Sequence, residues 1–338
     1  MKTFLFTFLA VAALFSISSC GDSKDEPLPA DDGWIDPVFA KVLQERGYIA
    51  DAKTVTPLDV ASIESIDVSG EVFSIIQGPI KSMKGLNYFT SLTELYCFNN
   101  QLTALDISNN TQLKVLYCNN NELAELDISN NTQLTDLSCY ANELTALDIS
   151  KHIQMTGLNC DYNQLTTLDV SNNTQLTQLS CRDNQLTALD VTNNTQLTGL
   201  WCSDNQLTAL DVSNNTQLTK LACAHNCLTT LDVSNTTQLT WLECHDNSLT
   251  TLDVSNNTQL FYLWCSDNQL TTLDVSNNTQ LSELYCYRNQ LTALDVTNNT
   301  QLSELSCGYN QLTALDVSNN TKLTRLDCTE TKRAALAV

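Results

Sequence analysis

Glycine, proline and basic residues are all scarce in this sequence. The 338-residue chain has 9 Gly, 5 Pro and 16 Lys and Arg against 38 Asp and Glu, which gives a formal net charge of −22. The low Gly and Pro content excludes collagen-like and flexible-linker architectures. The acidic balance excludes a nucleic-acid-binding surface, because nothing would offset phosphate repulsion. We therefore expect the turns to be built mainly by Asn, which is abundant and tolerates the left-handed conformation.

Long hydrophobic runs are also lacking, apart from Phe4 to Phe15 near the start. That run is too short to span a bilayer comfortably and follows Lys2, so it predicts a signal peptide over residues 1–19. It ends in Ser18-Ser19-Cys20, which resembles the bacterial lipoprotein signal, with Cys20 as the lipidated residue. Ordinary cleavage or a membrane anchor is the alternative. Residues 20–33 are predicted to be an acidic tether, and acidic residues after a lipidated Cys resemble a signal for display on the outer-membrane surface.

A repeat of 21 residues dominates the chain from Leu92 to Thr331. Its most regular marker is a cysteine column: Cys97, Cys118, Cys139, Cys160, Cys181, Cys202, Cys223, Cys244, Cys265, Cys286, Cys307 and Cys328. The unit Leu197 to Gln217 reads LTGLWCSDNQLTALDVSNNTQ, and both of its halves follow LxxLx(C/V)xxN. Each half predicts a short strand followed by a turn. The inward side chains of this unit are Leu197, Leu200, Cys202, Leu207, Leu210 and Val212.

The pattern LxxLxCxxNxL resembles the bacterial leucine-rich repeat, and its Cys column is similar to that of internalins with a cysteine ladder. The resemblance implies a solenoid of about twelve coils over residues 92–331, built as a stack of parallel strands with a short second strand in each coil. It also implies that the Asn series from Asn100 to Asn310 forms a ladder that satisfies buried turn amides. Internalins are surface adhesins, although their host-binding residues cannot be transferred to this sequence.

The twelve column thiols could form disulfides, bind a metal or fill the core. Stacked strands hold equivalent Cβ atoms about 4.8 Å apart, beyond the separation that a disulfide prefers, so we expect reduced, buried cysteines. Cys227 stands off the column, near His225, Glu243 and His245. These residues have metal-ligand types, but no Cys-x-x-Cys pair accompanies them, so no metal site or other cofactor is predicted. No nucleophile motif is present either, so no catalytic residue and no enzyme are predicted.

The exposed positions of the second half-repeat barely vary. An Asp recurs from Asp106 to Asp316 in eleven consecutive units. Neighbouring carboxylates in such a column repel by roughly 1 kcal/mol even in water, so some compensation is needed. The preferred interpretation is a solvated stripe that neighbouring Ser and Thr hydroxyls hold by hydrogen bonds. A ladder of divalent cations is the alternative.

The exposed positions of the first half-repeat vary freely and carry eleven of the fourteen Trp and Tyr residues. Large amphipathic rings on an exposed sheet are typical of a binding surface. Aromatic residues also favour strands in general, but that preference would place rings on the second half as well, where there are none. The predicted partner-binding residues are Trp201, Lys220, Trp241, Glu243, Tyr262, Trp264, Glu283, Tyr285, Tyr287 and Arg288.

Both ends of the array need covering, because an open solenoid end exposes its core. Residues 34–91 are predicted to form an N-terminal cap with a helix over Asp36 to Arg46, a second short helix opened by Thr56 and Pro57, and a segment from Ile63 to Ser69 that resembles the LDVS of a second half-repeat. The last unit is predicted to stop after its first half, which leaves residues 332–338 as a tail. That tail could fold over the core, pair with another molecule, or be the remnant of a shortened duplication.

These features predict a monomeric, lipid-anchored protein of the bacterial cell surface that binds a protein partner in the manner of an adhesin. The membrane is contacted through the lipid alone. A glycan-binding module for nutrient capture and a structural envelope spacer are the alternatives.

Overall fold

The computed structural model describes residues 33–70 and 79–331, together with the backbone of residues 335–337. The predicted signal peptide, Cys20 and the tether through residue 32 lie outside the described residues. No helix in the described part of the chain has the length and hydropathy of a membrane span.

Two helices open the described chain where the sequence predicted them, α1 at Pro37–Glu45 and α2 at Pro57–Val60. Asp36 caps α1, since its carboxylate accepts hydrogen bonds from the amides of Val38 at 2.9 Å and Phe39 at 3.0 Å. Gly47 follows α1 with a φ of 79°, a left-handed turn that ends the helix. A capping box of Thr56 and Asp59 starts α2.

The helical segment packs directly on the first coils. The Phe39 ring of α1 lies 5.9 Å from the Phe89 ring, and both side chains are fully buried. Strand β1, Ser65–Asp67, pairs in parallel with Glu94–Tyr96, which places Ile66 opposite Leu95. The segment Ile63 to Ser69 was expected to imitate a second half-repeat. The structure instead adds its strand to the sheet formed by the first halves, because Ile66 fills the inward leucine position of that sheet.

The main sheet contains thirteen parallel strands in the described residues, and β1 is at its edge. A 3₁₀ turn at Leu86–Tyr88 leads into the array. The next eleven strands are β2 Glu94–Tyr96, β3 Val115–Tyr117, β4 Asp136–Ser138, β5 Gly157–Asn159, β6 Gln178–Ser180, β7 Gly199–Trp201, β8 Lys220–Ala222, β9 Trp241–Glu243, β10 Tyr262–Trp264, β11 Glu283–Tyr285 and β12 Glu304–Ser306. Strand β13, Ala314–Asp316, belongs to a separate two-stranded sheet, and β14, Arg325–Asp327, completes the main sheet. Each residue faces its equivalent 21 positions later, as Leu200 faces Leu221.

The predicted second strand of each coil is wrong for most of the array. Within the described residues, only β13 and β15, which pair with each other, adopt it. The other second halves form one backbone hydrogen bond between coils, such as that from the Gln206 amide to the Leu186 carbonyl at 2.9 Å. Other amides there are used within the coil, as when the Asn215 amide donates to the Val212 carbonyl at 3.0 Å. Because these amides bond within their own coil, too few backbone groups remain for a continuous ladder of hydrogen bonds between coils.

The core is one continuous hydrophobic cluster that runs from Ile35 to Val317. The six predicted inward positions of the unit at Leu197 are all buried, with exposures between 0% and 7%. Eleven of the column cysteines are buried and reduced, whereas Cys328 is half-buried at the end of the array and Cys227 is exposed. The expected buried cysteine ladder is therefore confirmed for the eleven buried positions. Burial raises the pKa of the Cys202 thiol to about 12, so it remains protonated at neutral pH.

The predicted asparagine ladder is present and satisfies carbonyls as well as amides. The Asn205 side-chain amide donates to the carbonyls of Cys181, Cys202 and Ser203, while its oxygen accepts from the Leu186 amide. A second ladder, which was not predicted from the sequence, runs through the buried Asn of most second half-repeats, with His152 and Thr236 in place of Asn in two of them. Asn215, for example, donates to the carbonyls of Val191 at 3.0 Å and Asn194 at 2.9 Å.

The left-handed turn position falls on the residue before the first-ladder Asn, and Asn occupies it at only two places, Asn99 and Asn120. The other members of this column are Ala141, Tyr162, Asp183, Asp204, His225, Asp246, Asp267, Arg288, Tyr309 and Glu330. The expectation that Asn would supply most left-handed residues is thus wrong. The ladder Asn fixes the turn through its own hydrogen bonds, so the preceding position is left free to vary.

The C-terminal segment continues the repeat. The backbone of β15, Ala335–Ala337, pairs in parallel with Ala314–Asp316, in the same 21-residue register as the rest of the array. The sequence supports this placement, since Ala335-Leu336-Ala337-Val338 matches Ala-Leu-Asp-Val with Ala in place of Asp. The last unit therefore does not stop after its first half.

Candidate partner-binding groove on the strand face

The second half-repeats present a uniform acidic face whose carboxylates are hydrogen-bonded within each coil. The Asp106 carboxylate accepts from the Ser108 amide at 3.0 Å and from the Ser108 hydroxyl at 2.6 Å. These two bonds, the hydroxyl first, lower the pKa of Asp106. The same arrangement recurs along the column, for instance between Thr192 and Asp190. Local hydroxyls and amides thus compensate the repulsion that the sequence predicted.

The opposite face, formed by β2 to β12 and β14, brings the variable aromatic residues into contact. The Trp241 and Tyr262 rings are stacked 3.7 Å apart and nearly parallel, at 6°. Tyr262 also lies 5.7 Å from Tyr285, and Trp264 lies 5.9 Å from the same ring. In-register parallel strands cause this clustering, because equivalent side chains of neighbouring coils point in the same direction.

A groove of about 560 Å³ lies at the C-terminal end of this aromatic cluster. We call it the aromatic groove, and its walls are formed by Tyr262, Trp264, Tyr285, Tyr287, Arg288, Glu304, Leu305, Ser306, Tyr309, Arg325 and Asp327. The Tyr309 side chain is half exposed, and the Arg288 guanidinium lies 5.5 Å above its ring. The groove therefore combines open aromatic surface with a cation held over a ring.

Charges of both signs border the aromatic groove. Arg325 lies 3.6 Å from Glu304, and Arg288 lies 3.4 Å from Asp267. The Tyr285 hydroxyl donates to the carboxylate of Glu304 at 2.7 Å and to that of Glu283 at 3.0 Å. Burial, reinforced by these carboxylates, raises the pKa of Tyr285, so the hydroxyl stays a hydrogen-bond donor at any physiological pH.

Trp264 is the most constrained ring of the groove. The His245 ring stacks on it at 3.7 Å and 13°, so one face of the indole is covered by the protein itself. Its indole nitrogen is buried and has no hydrogen-bond partner among the described residues. Burial lowers the pKa of His245 to about 4, with a smaller contribution from His225, so this stack is neutral at pH 7.

The structure brings together five of the ten predicted partner-binding residues in the aromatic groove: Tyr262, Trp264, Tyr285, Tyr287 and Arg288. Trp241, Glu243 and Glu283 adjoin it, and the Trp241 indole nitrogen donates to Glu243 at 2.9 Å. Lys220 lies on the neighbouring strand β8 and is exposed. Trp201 lies apart from the groove. Its ring folds over Gly199, where any Cβ would collide with it, and Arg182 lies 5.8 Å from its centroid.

Six groove residues were absent from the predicted set: Glu304, Leu305, Ser306, Tyr309, Arg325 and Asp327. All of them belong to the last two coils. Except for Leu305, which belongs to the inward leucine column, they occupy the same columns as the predicted residues, so the signal was present in the sequence. The predicted set instead runs from Trp201 to Arg288 and stops short of the last two coils.

Comparison with known proteins agrees with this architecture. A family model described as leucine-rich repeats (2 copies) matches residues 90–126, and one described as the LVIVD repeat matches residues 261–289. No curated protein matches the sequence. Among solved structures, the functional domain of InlJ from Listeria monocytogenes is 42% identical, with a TM-score of 0.75, and its description includes a cysteine ladder. The chain therefore has the leucine-rich repeat fold.

The similarity covers 82% of this chain and 65% of the InlJ chain, slightly less than two thirds of that relative. An internalin, InlF, from Listeria monocytogenes is 25% identical with a TM-score of 0.79, over 89% of this chain and 90% of that one. A leucine-rich repeat protein of Leptospira interrogans is 28% identical with a TM-score of 0.65, over 76% of this chain and 70% of that one. The predicted resemblance to internalins with a cysteine ladder is thereby confirmed.

Proposed function

We propose that this protein is displayed on the bacterial cell surface by a lipid on Cys20 and binds a protein partner through the aromatic groove. Internalin-like proteins typically take part in protein interaction or adhesion. The observation that carries the proposal is the contrast between the two faces. The second half-repeats are nearly invariant and carry a uniform Asp column, whereas the variable aromatic and charged residues lie on the first-half strands, and several of them meet in one groove.

The chemistry of the groove favours a protein as the partner. Trp, Tyr and Arg are enriched among the few residues that contribute most of the binding energy in protein interfaces. Here Tyr285, Tyr287 and Tyr309 provide the ring surface, and Arg288 and Arg325 provide the guanidinium groups. The bordering carboxylates Glu304 and Asp327 would select a partner with complementary charges.

A glycan ligand is the second candidate, because exposed aromatic rings also stack on sugars. Several rings here are already used by the protein. Trp241 and Tyr262 cover one another, and His245 covers one face of Trp264. This self-stacking reduces the free ring surface available to a sugar and favours the protein partner.

The test compares a groove variant with a variant of the opposite face. The double substitution Tyr285→Ala and Tyr287→Ala removes ring surface from the groove, and Asp211→Asn with Asp232→Asn alters the acidic column as the matched control. Loss of cell adhesion in the groove variant alone supports the proposal, provided that both variants retain the circular dichroism of the parent. Binding to a glycan array without adhesion favours the glycan ligand. If neither activity depends on the groove, the protein is a spacer.

A further inference from the structure

Two histidines and one aspartate converge on the edge of the strand face, beside the aromatic groove. His225 and Asp246 occupy the same left-handed turn position in successive coils, with φ of 49° and 50°. His245 directly precedes Asp246, and its carbonyl accepts a hydrogen bond from the His225 amide at 3.0 Å. The coil register therefore fixes the backbones of all three residues relative to one another.

The side chains of this cluster are at the spacing of metal ligands. His225 Nδ1 lies 3.6 Å from an Asp246 carboxylate oxygen, and the two imidazole rings are 4.9 Å apart and nearly perpendicular. One ligand atom from each residue can be chosen so that all three lie within 4.8 Å of one another. Two ligands of a tetrahedral Zn²⁺ are about 3.4 Å apart, so small side-chain rotations would close the site.

A second observation comes from His245 itself. The residue is only 7% exposed, and its Nδ1 atom is buried without a hydrogen-bond partner among the described residues. Its ring is held in place by the stack on Trp264. A buried ring nitrogen without a partner is costly, and a metal ion would supply the missing interaction.

We propose that His225, His245 and Asp246 bind one divalent transition-metal ion of the zinc class. Two imidazoles and a carboxylate are a typical ligand set for Zn²⁺, with a fourth position left to water or to a partner's side chain. The two nitrogen ligands disfavour Ca²⁺ and Mg²⁺, which prefer oxygen. Glu330 occupies the same left-handed turn position four coils beyond Asp246, away from both histidines, which makes it the natural control.

From the sequence, no metal site is predicted at His225 and His245 with their neighbours Cys227 and Glu243. The structure replaces those last two residues with Asp246 in the cluster. Asp246 could not be distinguished from other residues in the sequence, because Asp is common throughout the repeats. Cys227 is exposed and lies two residues from His225 in the sequence. Metal binding by its thiol must therefore be distinguished experimentally from binding at the proposed site.

The test is calorimetric titration of the purified full chain with ZnCl₂, with CaCl₂ as the comparison. The parent protein is expected to bind one Zn²⁺ at this site. His225→Gln and His245→Gln should each weaken binding about tenfold or more, and Asp246→Asn should weaken it by a smaller factor. Glu330→Gln and Cys227→Ser should retain the parental affinity. His225 is exposed, so its substitution tests the site even if His245→Gln fails to fold.

Fluorescence supplies an independent measurement of location. Zn²⁺ should change the emission of Trp264 through its stack with His245, and Trp264→Phe should lose that change while retaining calorimetric binding. The proposal is overturned if the parent binds no Zn²⁺, if His225→Gln binds as the parent does, or if Cys227→Ser alone abolishes binding. The last result would assign the ion to the stray thiol.

Discussion

Asn205 and Cys181 are 24 residues apart in sequence and are joined by a hydrogen bond of 2.9 Å from the Asn205 side-chain amide to the Cys181 carbonyl. This bond links one coil to the preceding one at the point where the cysteine strand turns. The same Asn also bonds Cys202 and Ser203 within its own coil and accepts from Leu186. One side chain thus satisfies four backbone groups that a turn of this shape would otherwise bury unpaired.

Replacing this asparagine should be among the most damaging polar substitutions in the chain. Asn205→Ala is expected to lower the free energy of unfolding by about 2–4 kcal/mol, because several buried backbone groups lose their partner. Asn214 is exposed and makes a single bond to the Thr192 carbonyl at 3.2 Å, so Asn214→Ala should cost less than about 1 kcal/mol. Urea denaturation measures both values. Equal costs for the two variants would contradict this account of the ladder.

The left-handed column offers a stabilising substitution. Ala141 has a φ of 53°, a conformation that Gly adopts without strain. Ala141→Gly is expected to raise the free energy of unfolding by roughly 0.5–1 kcal/mol, the relief of strain less the entropy cost of Gly. Ala146 in the same coil has no positive φ, so Ala146→Gly should instead destabilise. Thermal denaturation that shows both changes to be destabilising would refute the argument.

Acid should weaken the contribution of the aspartate column. The hydroxyl and amide of Ser213 lower the pKa of Asp211 below its ordinary value of 3.8. A lowered pKa in the folded state adds stability above the unfolded pKa, and that stability is lost as the pH falls through the folded value. Asp161, whose pKa burial raises, acts in the opposite direction.

Ser213→Ala should therefore have a lower melting temperature than the parent at pH 7, and the difference should shrink as the pH falls below the ordinary Asp pKa of 3.8. Thr208→Ala, an exposed hydroxyl in the same coil, is the control and should change melting little at either pH. A Ser213→Ala difference that grows as the pH falls would show that the sign is wrong.

The thiols should differ sharply in reactivity. Cys227 is exposed, whereas burial raises the pKa of column thiols such as Cys118 and Cys265 to about 12. Among the described cysteines of the native protein, Cys227 should react first with a thiol reagent, followed by the half-buried Cys328. Cys227→Ser should remove the fast phase. Unfolding without a reductant should then release all twelve column thiols, and a deficit would reveal disulfides.

The fold was largely predictable because a single spacing determines it. The 21-residue interval from Cys97 to Cys328 places every strand of the array, and the Leu and Val between them identify the core. The second strand was mispredicted because alternation in Leu-Asp-Val indicates an extended segment but not how its backbone groups are paired. The Asp211 carboxylate accepts a hydrogen bond from the Ser213 amide of its own coil. This local bond favours a turn over hydrogen bonding between neighbouring coils.

The site was only partly predictable from the sequence. Variation among the copies identifies the correct face, but the position of the groove depends on packing between coils. Trp201 folds onto Gly199, which removes it from the aromatic cluster, while Tyr309 remains open beneath Arg288. His245 shows the same limit, because its stack on Trp264 depends on the orientation of both rings.

The central claim is that the aromatic groove is the surface that recognises a protein partner. It is tested most directly by quantitative cross-linking of the displayed protein to surface proteins of contacted cells, with the parent, the Tyr285→Ala and Tyr287→Ala variant, and the Asp211→Asn and Asp232→Asn control compared side by side. We predict that the parent and the control capture the same protein and that the groove variant loses it. Equal capture by all three would contradict the account.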